Sequence, residues 1–118
     1  EGDKEFYDRE EMLKHFADAL EAAPKPMFSL SSGVDAPHMT DSLRLANESN
    51  ASWNGVLCGR ATWQNGIAEY AENGFDALRD WLADGGVDNI TKMNAIIDEG
   101  AKPWYDAYGG REEIEVLG

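Results

Sequence analysis

At 118 residues with 42% hydrophobic side chains, the sequence holds enough apolar material for one small domain and no more. Its formal charge of -13, from 23 acidic against 10 basic side chains, opposes approach to a phosphodiester backbone or an anionic bilayer, so neither nucleic acid nor membrane is an expected partner. Cys58 is the only cysteine, which rules out an internal disulfide, and no run approaches the roughly 20 apolar residues of a membrane span.

These properties describe a cytoplasmic protein with a solvated acidic surface, a surface that high salt would also favour. The opening residues, Glu1-Gly2-Asp3-Lys4-Glu5, include no initiator methionine and no basic and apolar signal region. The chain reads as a piece of a longer protein.

A first helix is expected from Asp8, whose carboxylate can accept from free backbone donors while Glu11 stands three residues on. Met12, Leu13, Phe16 and Leu20 form its apolar stripe, and Pro24 and Pro26 should stop it near Ala23. A short strand follows at about residues 26–31 and ends in Ser31-Ser32-Gly33. A second helix opens between Asp35 and Pro37, with Met39, Leu43 and Ala46 at helical spacing.

A second strand at about residues 53–58 runs through Trp53-Asn54-Gly55-Val56-Leu57 into Cys58-Gly59-Arg60. From Trp63 the pattern is helical, with Ile67, Tyr70, Ala71, Phe75, Leu78 and Leu82 on one face and a break at Gly74. Gly85-Gly86 reads as a stop and Asp88 as the cap of a further helix, in which Ile90, Met93 and Ile97 face one way up to Gly100. Pro103-Trp104-Tyr105 reads as a docked turn, and residues 109–118 as a loosely ordered tail.

Strands separated by helices of this length imply an α/β fold with parallel strands buried on both faces. Two strands make a poor sheet, so residues 1–118 read as a single partial domain whose strands pair with others. In a (β/α)8 barrel, functional groups lie on the loops after the strands, and a phosphate often binds beyond the last two. Ser31-Ser32-Gly33 and Cys58-Gly59-Arg60 hold those positions if the two strands are the last two.

Ser31 offers a hydroxyl, and Gly33 lets the backbone turn tightly enough to aim amides at an anion. Gly59 admits a ligand close to the main chain, and Arg60 carries a planar fork matched to two phosphate oxygens. The plainer alternatives are an ordinary strand-to-helix turn for the serines and a surface ion pair for the arginine. His15 and His38 lack partners at metal-ligand spacing, and Cys58 lacks a histidine placed to activate it, so packed or surface roles are expected for all three. Trp53, Trp63, Trp81 and Trp104 read as packing anchors, with Trp63 open to another role because it stands three residues beyond Arg60.

The string Trp53-Asn-Gly-Val-Leu-Cys-Gly-Arg-Ala-Thr-Trp63 resembles the eighth-strand segment of the tagatose 1,6-bisphosphate aldolases, and Ser29-Leu-Ser-Ser-Gly-Val34 resembles the end of their seventh strand. The similarity runs from about Tyr7 to Trp104 and includes Trp81-Leu82, Asn89-Ile90 and Pro103-Trp104. It implies the C-terminal third of a (β/α)8 class I aldolase that uses a lysine Schiff base, with no metal or other cofactor. Such an enzyme cleaves tagatose 1,6-bisphosphate into dihydroxyacetone phosphate and glyceraldehyde 3-phosphate.

The resemblance further implies that Ser31, in the turn with Ser32 and Gly33, and Arg60 hold a substrate phosphate, with the backbone around Leu57 and Gly59 lining the same place. The family's Schiff-base lysine and acid/base glutamate correspond to positions before residue 1, and Lys4 has no apolar strand around it to lower its pKa. The chain alone is therefore expected to be inactive. The remainder of the barrel, or a second copy, is the expected protein partner. Another phosphosugar or sulfosugar aldolase on the same scaffold, or a non-catalytic anion-binding module, would share these features.

Overall fold

The computed structural model describes residues 7–30 and 35–117. Helix α1 spans Arg9–Glu21 and begins as the sequence leads one to expect. The Asp8 carboxylate accepts from the Glu11 amide at 2.9 Å, and the Glu11 carboxylate accepts from the Asp8 amide at 3.0 Å. This reciprocal cap satisfies two of the orphan donors at the helix start. The stripe of Met12, Leu13, Phe16 and Leu20 is only half-buried, and no residue of α1 is fully buried.

Strands β1 (Phe28–Leu30) and β2 (Gly55–Leu57) pair in parallel, with Phe28 opposite Gly55, Ser29 opposite Val56 and Leu30 opposite Leu57. Both are shorter than their sequence spans. Pro26 has no amide to donate, and the next residue, Met27, pairs with a side chain: its N–H donates to the Asn54 side-chain oxygen at 2.8 Å while its carbonyl accepts from the Asn54 amide at 2.9 Å. Gly55, at φ +154°, leaves room for the Phe28 ring opposite it, since a Cβ there would lie 2.9 Å from that ring.

Helix α2 (Ala36–Glu48) is capped by Asp35, which accepts from the His38 amide at 3.0 Å, and carries Pro37 in its first turn. That backbone hydrogen bond, followed by the contact with the His38 ring, holds the Asp35 carboxyl below its ordinary pKa. Met39, Leu43 and Ala46 are buried on one face of α2.

The chain then turns helical three residues earlier than expected, at α3 (Arg60–Trp63), followed by α4 (Gly66–Asn73) and α5 (Phe75–Trp81). Gly74 separates α4 from α5 at φ +85°, a region that disfavours any residue with a side chain. The expected stop at Gly85-Gly86 is absent. A π-helical stretch, Leu82–Gly86, joins α5 directly to α6 (Val87–Gly100), and Asp88 sits inside the first turn of α6 rather than capping it.

The physical reason is Trp81. A Cβ on Gly85 would meet its indole at 3.0 Å, and one on Gly66 would meet it at 2.7 Å. The two glycines form a flat seat for the ring, and this packing outweighs the roughly 1 kcal/mol that glycine costs in a helix interior. On α6 the inward residues are Met93 and Ile96, with Ile97 half-buried, whereas Ile90 is exposed. The stripe is thus displaced from the expected Ile90, Met93, Ile97 set.

The core lies where α2 crosses α6, closed by Trp53 and Ala61. Asn47 ties it together: its side-chain oxygen accepts from the Trp53 indole at 3.1 Å and its amide donates to the Ile96 carbonyl at 2.8 Å. Beyond α6, the Lys102 amide donates to the Trp53 carbonyl and the Asn54 amide group donates to the Lys102 carbonyl, fastening the chain before its 3-10 turns at Trp104–Tyr108 and Arg111–Glu113.

Much apolar surface stays open. Ile67, Tyr70, Phe75 and Leu82, expected on a packed face, are exposed, as are Phe28, Leu30 and Leu57 on the strands. The fold is α/β, with two parallel strands and flanking helices.

Candidate functional site

Because β1 and β2 are parallel and Leu30 stands opposite Leu57, both strands end at the same level. Ser31, Ser32 and Gly33, the expected hydroxyl and turn after β1, lie outside the described residues. The segment after β2 is described in full. Leu57 is 62% exposed and Leu30 70%, so the side chains at both strand tips face away from the core formed here.

Gly59 follows Cys58 at the entry to α3, with backbone angles of -120° and -68° that need no glycine. Its missing side chain matters as space. Among the described residues, a Cβ there would have only the indole nitrogen of Trp63 near it, at 3.5 Å. Arg60 is exposed and forms no ion pair among the described residues. Three other arginines do: Arg9 with Glu48, Arg44 with Asp41, and Arg79 with Asp76. Among the described residues, then, Arg60 lacks the surface ion pair weighed as its plain explanation.

The loop is held from below. The Thr62 hydroxyl and amide both donate to the Gly59 carbonyl, at 2.6 and 2.9 Å. The Asn89 side-chain amide donates to the Thr62 carbonyl at 3.1 Å, pinning α3 to α6, and Ala61 is buried between them. Such bracing fixes the Gly59 backbone and the start of α3 relative to the strand end.

Sequence reasoning passed over Asn54 and Asn89 as structural groups. Asn54 read only as a member of the second strand, while its partners lie 27 and 48 residues away in the chain. No local signal marks such a bond.

Cys58 is half-buried, with its sulfur 3.4 Å from that of Met93. Burial pushes its thiol above the ordinary value. That is opposite to the shift a nucleophilic cysteine needs, and it agrees with a packing role. His38 bonds Asp35 through its ring at 2.6 Å, and His15 meets Tyr7 edge to face at 4.8 Å. Among the described residues no three His, Cys, Asp or Glu side chains cluster as a metal site would require.

Of the four tryptophans, Trp53 is the buried anchor and Trp81 fills the seat between Gly66 and Gly85, whereas Trp63 and Trp104 are exposed. No helix among the described residues is long and apolar enough to cross a membrane.

Comparison with known proteins places these features in a family. Residues 3–65, more than half of the chain, match the family described as DeoC/LacD family aldolase. The chain is 41% identical over 111 residues to the tagatose 1,6-diphosphate aldolases of Listeria monocytogenes serotype 4a (strain HCC23) and of Listeria innocua, covering 94% of this chain and 33% of each relative. It is 42% identical over 98 residues to the protein of that name from Staphylococcus aureus (strain JH9), covering 83% of this chain and 30% of the relative. The chain thus spans about a third of the length of the curated relatives it matches. On the family match, which includes both strands and the Gly59-Arg60 loop, the chain belongs to the DeoC/LacD aldolase family.

Proposed function

We propose that this chain is the C-terminal part of a (β/α)8 class I aldolase that cleaves tagatose 1,6-bisphosphate into dihydroxyacetone phosphate and glyceraldehyde 3-phosphate, and that its own contribution is to grip a substrate phosphate. The observation that carries the reading is the level ending of two parallel strands, with an open glycine backbone and, directly after the second, an arginine that forms no ion pair among the described residues. A guanidinium offers parallel N–H donors to two phosphate oxygens, a match that a point charge does not reproduce. Ser31, Ser32 and Gly33 complete the grip from the neighbouring strand, and the backbone at Leu57 and Gly59 forms its floor.

The global charge of -13 opposes any anion, so the local donors must overcome it. Their purpose is positional. In class I chemistry a lysine amine condenses with the ketose carbonyl, releasing water, and the resulting iminium accepts the electron pair when the carbon-carbon bond breaks. A base removes the hydroxyl proton of the departing aldehyde. Fixing the phosphate fixes the carbonyl beside the amine and lowers the entropic part of the barrel's task.

In this reading the lysine comes from a strand preceding these residues, and Lys4 does not replace it. The 118-residue chain by itself cleaves no tagatose 1,6-bisphosphate, and borohydride traps no substrate adduct on it. A borohydride-stable adduct on any of its lysines would contradict the assignment.

A further inference from the structure

Trp63 stands on α3 three residues beyond Arg60, with its indole nitrogen 3.5 Å from the point where a side chain on Gly59 would begin. Anything that approaches the open face of Gly59 therefore meets the indole N–H. Trp63 is 42% exposed, and its indole N–H has no partner among the described residues. The N–H of Trp53, by contrast, is satisfied by Asn47. An indole nitrogen donates and does not accept, so the group beside Gly59 is suited only to an acceptor.

The rest of the ring is anchored away from that point. Trp63 lines an apolar groove of about 350 Å³ with Ile67, Tyr70, Leu78 and Leu82. One end of the indole thus has apolar company while the N–H end faces the candidate site, the division for which tryptophan is suited. The bonds from Thr62 to Gly59 and from Asn89 to Thr62 hold the turn that carries it.

We propose that Trp63 is a third donor to the phosphate group received by Gly59 and Arg60, and so a positioning residue for a ketose phosphate. The proposal rests on the phosphate-binding reading of that site and adds to it a neutral donor, which strengthens the grip without changing the charge. A terminal phosphate monoester has three acceptor oxygens, enough for a guanidinium fork and an indole at once.

The test is a titration of the full chain with inorganic phosphate and with dihydroxyacetone phosphate, following the four indole N–H resonances by heteronuclear NMR, with neutral dihydroxyacetone as control. The expected result is a downfield shift of the Trp63 indole proton with both phosphates and none with dihydroxyacetone. Trp63→Phe, which keeps a ring in the groove and removes the donor, weakens binding roughly tenfold, the scale of one hydrogen bond to a charged acceptor. Arg60→Met abolishes it.

If Arg60→Met abolishes binding while the Trp63 resonance stays still and Trp63→Phe binds like the unmodified chain, the third-donor proposal is overturned and the phosphate reading stands. If Arg60→Met binds as the unmodified chain does, or the unmodified chain binds neither phosphate, both fall. The resonance is read in the unmodified chain, so the test holds even where Trp63→Phe disturbs the fold.

Discussion

Asn47 shows how much one side chain settles in a small core. It accepts from the Trp53 indole, donates to the Ile96 carbonyl and lies against Gly100, where an added Cβ would be 1.8 Å from its oxygen. Gly100→Ala therefore drives a methyl into the amide that joins α2 to α6. The expected cost is about 1–3 kcal/mol, the range for overpacking, read as a lower urea midpoint; a midpoint equal to that of the unmodified chain would show that Asn47 moves aside freely.

Cys58 makes a second prediction at this scale. Desolvation favours its neutral thiol, so alkylation by iodoacetamide at pH 8 should run slower than that of a free cysteine and accelerate as pH rises past the ordinary thiol range. A rate at or above the free-cysteine rate would contradict the burial argument. The Asp8–Glu11 cap was legible in the sequence because it acts within one turn, and so was the start of the second helix between Asp35 and Pro37. Asn54 and Asn89 were not, since their partners are distant along the chain.

Among the elements, the two strands and the helices between them follow from spacing: proline punctuation, caps and an i, i+3, i+4 apolar pattern describe α1, β1, α2 and β2 within a few residues. The shortfall in strand length comes from Pro26 and from Asn54 taking over the ladder at Met27. The misreading at Gly85-Gly86 has a different origin. Local propensity puts a stop there, and tertiary packing of Trp81 overrides it.

Gly66→Ala tests that account. A Cβ at this position would stand 2.7 Å from the Trp81 ring and 2.8 Å from Leu78. It should lower stability by about 1–3 kcal/mol despite alanine's better helix propensity. A stabilised variant in thermal melts would mean that the indole seat is not what keeps residues 75–100 helical. Of the candidate site, the Gly59-Arg60 loop was legible as a motif. The bracing beneath it by Thr62 and Asn89 emerged only from the packing of α3 on α6.

At the scale of the whole molecule, the chain exposes more than a closed domain of its mass. Its accessible surface is 8667 Å², against about 6,300 Å² for a compact monomer of this size. The radius of gyration is 17.2 Å, against about 13.5 Å for a globular chain of this length. Its extents of 49 × 48 × 22 Å describe a slab. The excess includes Leu30 and Leu57 at the strand tips and the open face of α4 and α5, all apolar.

Surfaces of that kind seek a partner. In isolation the chain should self-associate in sedimentation velocity at micromolar concentration, whereas a monomer with one sharp melting transition would contradict that expectation. In the proposed reading, the other strands of a barrel cover β1 and β2 and so account for the same surface.

The most direct test of that arrangement recombines this chain with the remaining two-thirds or so of the Listeria innocua relative and measures retro-aldol cleavage of tagatose 1,6-bisphosphate. The account predicts that neither piece cleaves alone, that the recombined protein does, and that Arg60→Met lowers kcat/KM by about 10- to 100-fold, the loss of a charge-assisted phosphate contact. A recombined protein that cleaves equally well with methionine at position 60, or an assembled complex that cleaves nothing, would contradict it.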